Sequence, residues 1–251
     1  TLKAQPLNDS IHFNGESHFA NIRQLTFGGD NAEAYFSYDG KYLIYQYTNQ
    51  AKGINCDQIW MGKIPQEPNE TFNPKLVSTG TGRTTCAFFY PDGKHIIYAS
   101  THLNSKECPP VPDRKKYGNK YIWPIYESFD LFKADTNGKI IKQLTKTKGY
   151  DAEATISPKG DKIVFTSMRD GDLELYTMDI NGKNVKRITH ALGYDGSAWF
   201  SPDGSKIIWR ASRPAVEADI KEYKELLAQN LVAPTNMEVW LANADGYNPQ
   251  M

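Results

Sequence analysis

The chain has 251 residues, 39% of them hydrophobic and 12% aromatic, which is enough apolar material to fill a core and argues against wholesale disorder. Lysine plus arginine and aspartate plus glutamate number 29 each, so the charge balance gives no electrostatic reason to expect nucleic acid or an anionic membrane as a partner. No apolar run in the sequence approaches the roughly 20 residues that span a bilayer, and no signal peptide is visible.

One pattern occurs four times along the chain: an alternating apolar run, a Pro-Asp-Gly-type turn, and a second run rich in Ile, Val and Tyr. Such a pattern is typical of an antiparallel hairpin. The four copies are AEAYFSYDGKYLIYQ (32–46), TCAFFYPDGKHIIYA (85–99), AEATISPKGDKIVFT (152–166) and GSAWFSPDGSKIIWR (196–210).

Each hairpin is followed by a third apolar segment, and short fourth runs also recur. The third segments are QIWMGKI, DLFKADTNGK, ELYTMDINGK and EVWLANADGY, and the short runs are RQLT at 23, KLVS at 75, KQLT at 142 and KRIT at 186. Four short strands per unit are typical of a propeller blade. We therefore predict an all-β protein, a β-propeller of four-stranded antiparallel blades forming one domain over 1–251. The blade repeats are expected at about 27–78, 79–145, 146–189 and 190–251.

Two insertions, at 102–128 and 214–235, interrupt the repeats between second and third strands. The first is rich in proline and basic residues, and loops of this length are often functional. The second places Ile220, Tyr223, Leu227 and Leu231 at helical spacing, which predicts one short inserted helix. Its apolar stripe either packs on the blades or docks a partner.

These repeats resemble those of the TolB-type β-propeller. The resemblance rests on the pattern (A/S)-x-x-S-P-D-G-x-x-(I/L)-x-(F/Y) followed by (L/I)-(Y/W) and (Q/R)-(L/I)-T, and it extends from about Arg23 to Tyr247. It implies an exported bacterial envelope protein, periplasmic or secreted, that binds a protein or peptide at one mouth of its channel. Similar repeats also occur in the propellers of prolyl-oligopeptidase-like and tricorn-like peptidases and of some lyases.

The TolB-type ring has six blades, whereas four repeats are visible here. One possibility is that the RQLT segment completes the fourth blade and closes a four-bladed ring. The other, which we favour, is that the chain is part of a longer protein, with the remaining blades absent from it or carried by another chain.

Candidate site residues come from the innermost strand of each blade, which lines the channel. Aligned on the turn, Glu33, Cys86, Glu153 and Ser197 are equivalent, and two residues earlier come Asn31, Thr84, Asp151 and Asp195. Period-two alternation would place each set on one side of its strand. The four acids Glu33, Glu153, Asp151 and Asp195 would then form a cluster that binds a ligand or a calcium or magnesium ion. Alternatively, they accept hydrogen bonds from backbone and water.

The same mouth gathers further polar side chains from the loops after the second strands. Cys56, Cys86, Cys108 and His102 could approach one another there, as one disulfide plus a free thiol, as three free thiols, or as a zinc site. We expect one disulfide plus a free thiol if the protein is secreted. Arg169 and Arg213 hold the position of His102 in other blades and either bind an anionic terminus or remain solvated.

The sequence favours a non-enzymatic binding or scaffolding module with a protein or peptide partner and no membrane span; it says nothing of oligomeric state. G-x-S-x-G, H-E-x-x-H and G-x-x-x-x-G-K motifs are absent. Two alternatives remain: a metal-assisted hydrolase or lyase acting at the channel mouth, and the gating propeller of a larger peptidase.

Overall fold

The structure, a computed structural model, describes residues 13, 15–19, 22–67, 69–118 and 120–251, and it confirms the β-propeller with four antiparallel blades and one helix. The first blade consists of β1 (Asp30–Phe36), β2 (Tyr42–Asn49), β3 (Ile54–Lys63) and β4 (Lys75–Leu76), in that spatial order. Each strand pairs antiparallel with the next, because tight turns such as the one at Gly40, whose φ is 68°, reverse the chain.

The second and third blades repeat this order. The second contains β5 (Thr84–Phe89), β6 (His95–Ser100), β8 (Asp130–Asp135) and β9 (Ile140–Gln143); between β6 and β8 lies β7 (Trp123–Pro124). The third contains β10 (Asp151–Ile156), β11 (Lys162–Ser167), β12 (Glu174–Asp179) and β13 (Lys186–Arg187).

The fourth blade has three strands, β14 (Tyr194–Phe200), β15 (Lys206–Ser212) and β17 (Glu238–Asn243). A helix, α1 (Glu217–Leu227), and a short strand, β16 (Leu231–Val232), lie between β15 and β17. The only start of a fourth strand seen in the described part of this blade is a bridge between Leu241 and Gln250.

The RQLT segment does not complete the fourth blade. It forms no strand, and the Arg23 guanidinium donates to the backbone carbonyl oxygens of Glu67, at 3.2 Å, and Glu70, which belong to the connection between β3 and β4. A four-bladed ring closed by this segment is therefore wrong.

Blade packing follows from the alternation in each strand. One face of the first blade packs Ile44 and Ile59 against Ile96 and Phe132 of the second, and the fourth blade packs Ile207 and Trp209 against Val164 and other residues of the third. Each sheet is apolar on both faces and hides them only against neighbours. At the axis, Tyr35, Phe88 and Trp199 from β1, β5 and β14 meet in mutual ring contacts, with centroids 4.9 to 5.8 Å apart.

Candidate functional site

Every innermost strand contains one extra residue at the same point, a β-bulge that the sequence reasoning missed. In β1, for example, Glu33 and Ala34 lie between the paired residues Ala32 and Tyr35, where β2 has a single residue. The first bulge residue is left-handed in all four blades: Glu33, Cys86, Glu153 and Ser197, with φ from 46° to 55°. A detectable signal was present, since each is followed by Ala and each bulge lies opposite an aromatic residue: Tyr45, Tyr98, Phe165 and Trp209.

These four positions mark the candidate site. A left-handed conformation costs a residue with a side chain about 1–2 kcal/mol, and such strain tends to accumulate at functional positions. Because a bulge re-aims its side chain, Glu153 and Asp151 make different contacts, although simple alternation predicted that they share one side.

Among the four bulge residues, which form one layer across the blades, Glu153 is buried and makes the most hydrogen bonds. Its carboxylate accepts hydrogen bonds from the Thr166 hydroxyl at 2.8 Å, from the Tyr194 hydroxyl at 2.9 Å and from the Ser197 backbone N–H at 2.8 Å. The Arg210 guanidinium donates to the Ser197 hydroxyl at 2.8 Å. Glu153 therefore joins the third blade to the fourth.

Cys86 and Glu33 lie in the same layer. Burial raises the pKa of the Cys86 thiol well above its usual value, and the negative charges of Glu33 and Glu153 raise it further. The thiol is therefore protonated at neutral pH, a poor nucleophile and a poor metal ligand. Glu33 accepts a hydrogen bond from the Tyr35 hydroxyl. The structure thus brings together Glu33, Cys86, Glu153 and Ser197 around Arg210.

The other predicted acids are held separately by arginines. Asp151 pairs with Arg169 at 2.9 Å, and Asp195 pairs with Arg213 and accepts the Trp209 indole N–H at 2.6 Å. Burial raises the pKa of both carboxyls, and the paired arginine opposes that rise in each case. Each arginine thus has a buried carboxylate as a partner, and the side chains of Arg169 and Arg213 stay partly exposed. Their binding of an anionic terminus stays a prediction.

A metal centre is not assembled from these groups. Throughout the described ranges, no three His, Cys, Asp or Glu side chains are grouped so that they could hold a metal ion. The four acids of the predicted calcium or magnesium cluster have other partners: the hydroxyl groups of Tyr35 and Thr166 donate to Glu33 and Glu153, and arginines pair with Asp151 and Asp195.

The cysteines resolve the alternatives left by the sequence. Cys56 of β3 and Cys108 form a disulfide, and Cys86 remains a thiol, so the zinc and three-thiol alternatives are wrong. His102 has its own partners: its Nδ1 is 2.9 Å from the Ser100 hydroxyl oxygen, and its ring packs on Phe132.

The two insertions form one structure, which we call the cap. β7 of the first pairs antiparallel with β16 of the second, and Ile122 packs with Leu226 and Leu231 beneath them. The Trp123 ring of the cap packs on two residues beside Glu153: its centroid is 5.7 Å from that of the Tyr194 ring and 5.3 Å from the Arg210 guanidinium carbon. The cap therefore covers the mouth at which the innermost strands begin.

A pocket opens at the opposite mouth, where the innermost strands end. This axial pocket has a volume of about 260 Å³ and is lined by Ala34, Tyr35, Phe36, Tyr38, Phe88 and Trp199. Phe36 is 66% exposed at its rim. The Tyr38 hydroxyl donates to the Ile156 carbonyl oxygen at 2.9 Å, which fixes this ring across the axis.

Comparison with known proteins places this architecture among propellers. The family model of the TolB beta propeller domain matches residues 126–230. No curated protein matches the sequence. Along the described part of the chain, no helix is both long enough and apolar enough to cross a membrane.

Solved structures share the fold. TolB from Acinetobacter baumannii is similar over 90% of this chain, with a TM-score of 0.59 and 21% identity, and a puromycin-hydrolyzing peptidase of Mycobacterium tuberculosis over 92%, with a TM-score of 0.55 and 11% identity. The chain covers only 44% of that TolB chain and 30% of that peptidase chain. At such identities the likeness concerns the fold alone.

Proposed function

We propose that this chain, a TolB-like β-propeller, is a binding or scaffolding module that receives an apolar side chain of a protein or peptide partner in the axial pocket. The observation that carries the proposal is the pocket itself, an apolar cavity of about 260 Å³ whose rim residues Phe36 and Tyr38 are exposed. Exposed aromatic clusters around a concavity are characteristic of protein interaction sites.

The rigid surroundings favour this mouth. Tyr35, Phe88 and Trp199 pack edge to face or tilted beneath the pocket, so its floor is already ordered before a partner arrives. Burying one large apolar side chain there contributes about 1.5–3 kcal/mol, and a preformed floor reduces the entropy lost on binding.

We also propose that the protein works outside the cytoplasm, in the periplasm or as a secreted protein. The disulfide between Cys56 and Cys108 supports this location, because such bonds persist in oxidising compartments and are rare in reducing ones. The location is tested by alkylating free thiols in the producing cell before lysis and analysing the protein by mass spectrometry. Alkylation of both Cys56 and Cys108 would contradict the proposal.

Photo-crosslinking tests the binding site. A photoreactive residue replaces Tyr38 in the producing cell, the crosslinked protein is identified, and its purified form is titrated against the chain. We expect F36D to weaken this binding by about tenfold or more. The matched control is Y121D, which alters an aromatic residue of similar exposure on the cap. Equal affinities of F36D and the unchanged chain would contradict the proposed pocket.

The enzymatic alternatives stay predictions. A hydrolase or lyase assisted by a metal ion would lose activity with a chelator. The gating propeller of a larger peptidase would be expressed together with a hydrolase domain, and the absence of one from the gene and its neighbours would remove that alternative.

A further inference from the structure

The cap carries opposite charges at its two ends. Arg114, Lys115 and Lys116 form a short 3-10 turn of the first insertion, and Glu217 and Asp219 lie in the first turn of α1. All five side chains are exposed. None has an oppositely charged group within 4 Å among the described residues.

The contacts of the cap fix the direction of this separation. Tyr117, which ends the basic turn, reaches Gln229 just beyond the last residue of α1, and Lys120 pairs with Glu222 in the middle of the helix. The basic turn therefore lies toward the C-terminal end of α1, and the two acids lie at its other end. The 11 residues of the helix separate these ends by about 16 Å.

Apolar side chains are exposed near both ends. Tyr121 and Val111 of the first insertion are each 61% exposed, and Val216, which precedes α1, is 58% exposed. The Arg114 guanidinium carbon lies 5.4 Å from the centre of the Tyr121 ring, so the Tyr121 ring packs against the basic turn.

We propose that the cap is a self-association surface, and that its occupant is the cap of a second copy of this chain, related by a two-fold axis. In such an isologous contact the same patch serves on both copies. If the two α1 helices run antiparallel, the basic end of each copy faces the acidic end of the other. The surface is then self-complementary, with Tyr121 and Val216 contributing apolar contact.

The charge separation favours a second copy over other occupants. A flat anionic membrane or a nucleic acid laid across the cap would attract Arg114 and Lys116 but would repel Glu217 and Asp219. A second cap satisfies both ends simultaneously. Because the exposed apolar area is small and the charges are solvated, we expect a weak complex, with Kd on the order of 10–100 µM.

Charge reversal tests the inference by complementation. R114E/K115E/K116E makes both ends of the cap acidic, and E217K/D219K makes both ends basic. Sedimentation equilibrium up to about 200 µM should show a dimer for the unchanged chain and a monomer for each variant alone. An equimolar mixture of the two variants should restore a dimer. The matched control for R114E/K115E/K116E is K94E/K139E/K183E, which changes the net charge by the same amount on exposed turns outside the cap and should still dimerise.

Salt dependence supplies a second readout. Raising the ionic strength from about 50 mM to about 500 mM should weaken the dimer by about tenfold or more. A monomeric unchanged chain at the highest concentration overturns the inference. It is also overturned if either cap variant dimerises alone as well as the unchanged chain does, or if the mixture stays monomeric. Circular dichroism of each variant establishes that it is folded. None of these outcomes bears on the axial pocket, which lies at the opposite mouth.

Discussion

Cys108→Ser removes the covalent link between the first blade and the first insertion. The two cysteines are 52 residues apart in the sequence. The chain-entropy relation for a loop of that length gives a stabilisation of about 4 kcal/mol, because the crosslink restricts the unfolded chain. We expect the folded state to lose little, since Cys108 is exposed and the Cys56 sulfur lies 3.1 Å from the Gly82 carbonyl oxygen, to which the freed thiol can donate.

Equilibrium unfolding in urea measures this change. With an m-value of about 3 kcal/mol per M for a chain of this size, the midpoint of C108S should fall by about 1.3 M. The unchanged protein in a dithiol reductant should show the same fall, and the reductant should leave C108S unaffected. A fall below about 0.3 M in both comparisons would refute the loop-entropy reasoning, because the reduced and oxidised unfolded chains would then have similar freedom.

Three further perturbations probe the buried polar groups and the bulge layer. Burial raises the pKa of Glu174 from 4.5 to about 7. The folded state therefore binds the proton of the Glu174 carboxyl more tightly than the unfolded state does. The stability that the protonated carboxyl contributes is fully present below pH 4.5 and is lost as the pH rises through about 7. E174Q should remove this part of the pH dependence of the urea midpoint, and an unchanged profile would contradict the assignment. R213A leaves the buried Asp195 carboxylate without its cation and should cost about 3–5 kcal/mol, much of it recovered by adding D195N; failure of D195N to rescue would show that Arg213 acts by packing. G196A would place a Cβ 2.2 Å from the Tyr194 hydroxyl oxygen and should cost about 1–3 kcal/mol, whereas a neutral effect in thermal melts would mean that the ring moves freely.

The repeats predicted the fold because each blade is encoded locally. Alternation around turns such as Tyr38–Gly40 specifies a hairpin without reference to the rest of the chain. The bulges were not predicted, because strict alternation of apolar and polar residues was assumed along the whole of each innermost strand. The alanine after each of Glu33, Cys86, Glu153 and Ser197 is a signal that only the superposition of all four repeats makes visible.

The pairing of charges and the cap depend on contacts distant in sequence. Asp151 begins β10, whereas Arg169 lies 18 residues further along the chain, in the turn that follows β11, and period-two reasoning along one strand cannot detect such a partner. β7 and β16 are more than 100 residues apart. Each is only two residues long, too short to show alternation, so their pairing could be seen only in three dimensions.

The pairing of β7 with β16 also affects the order in which the blades unfold. A row of repeats that contact only their neighbours frays from its ends, one unit at a time. Here the cap links the second blade to the fourth across the third, so the fourth blade cannot separate from the third unless the pairing of β7 with β16 also breaks. Amide protons in β11 of the third blade and β15 of the fourth should therefore exchange with the same opening free energy, because the two blades unfold together and not one after the other.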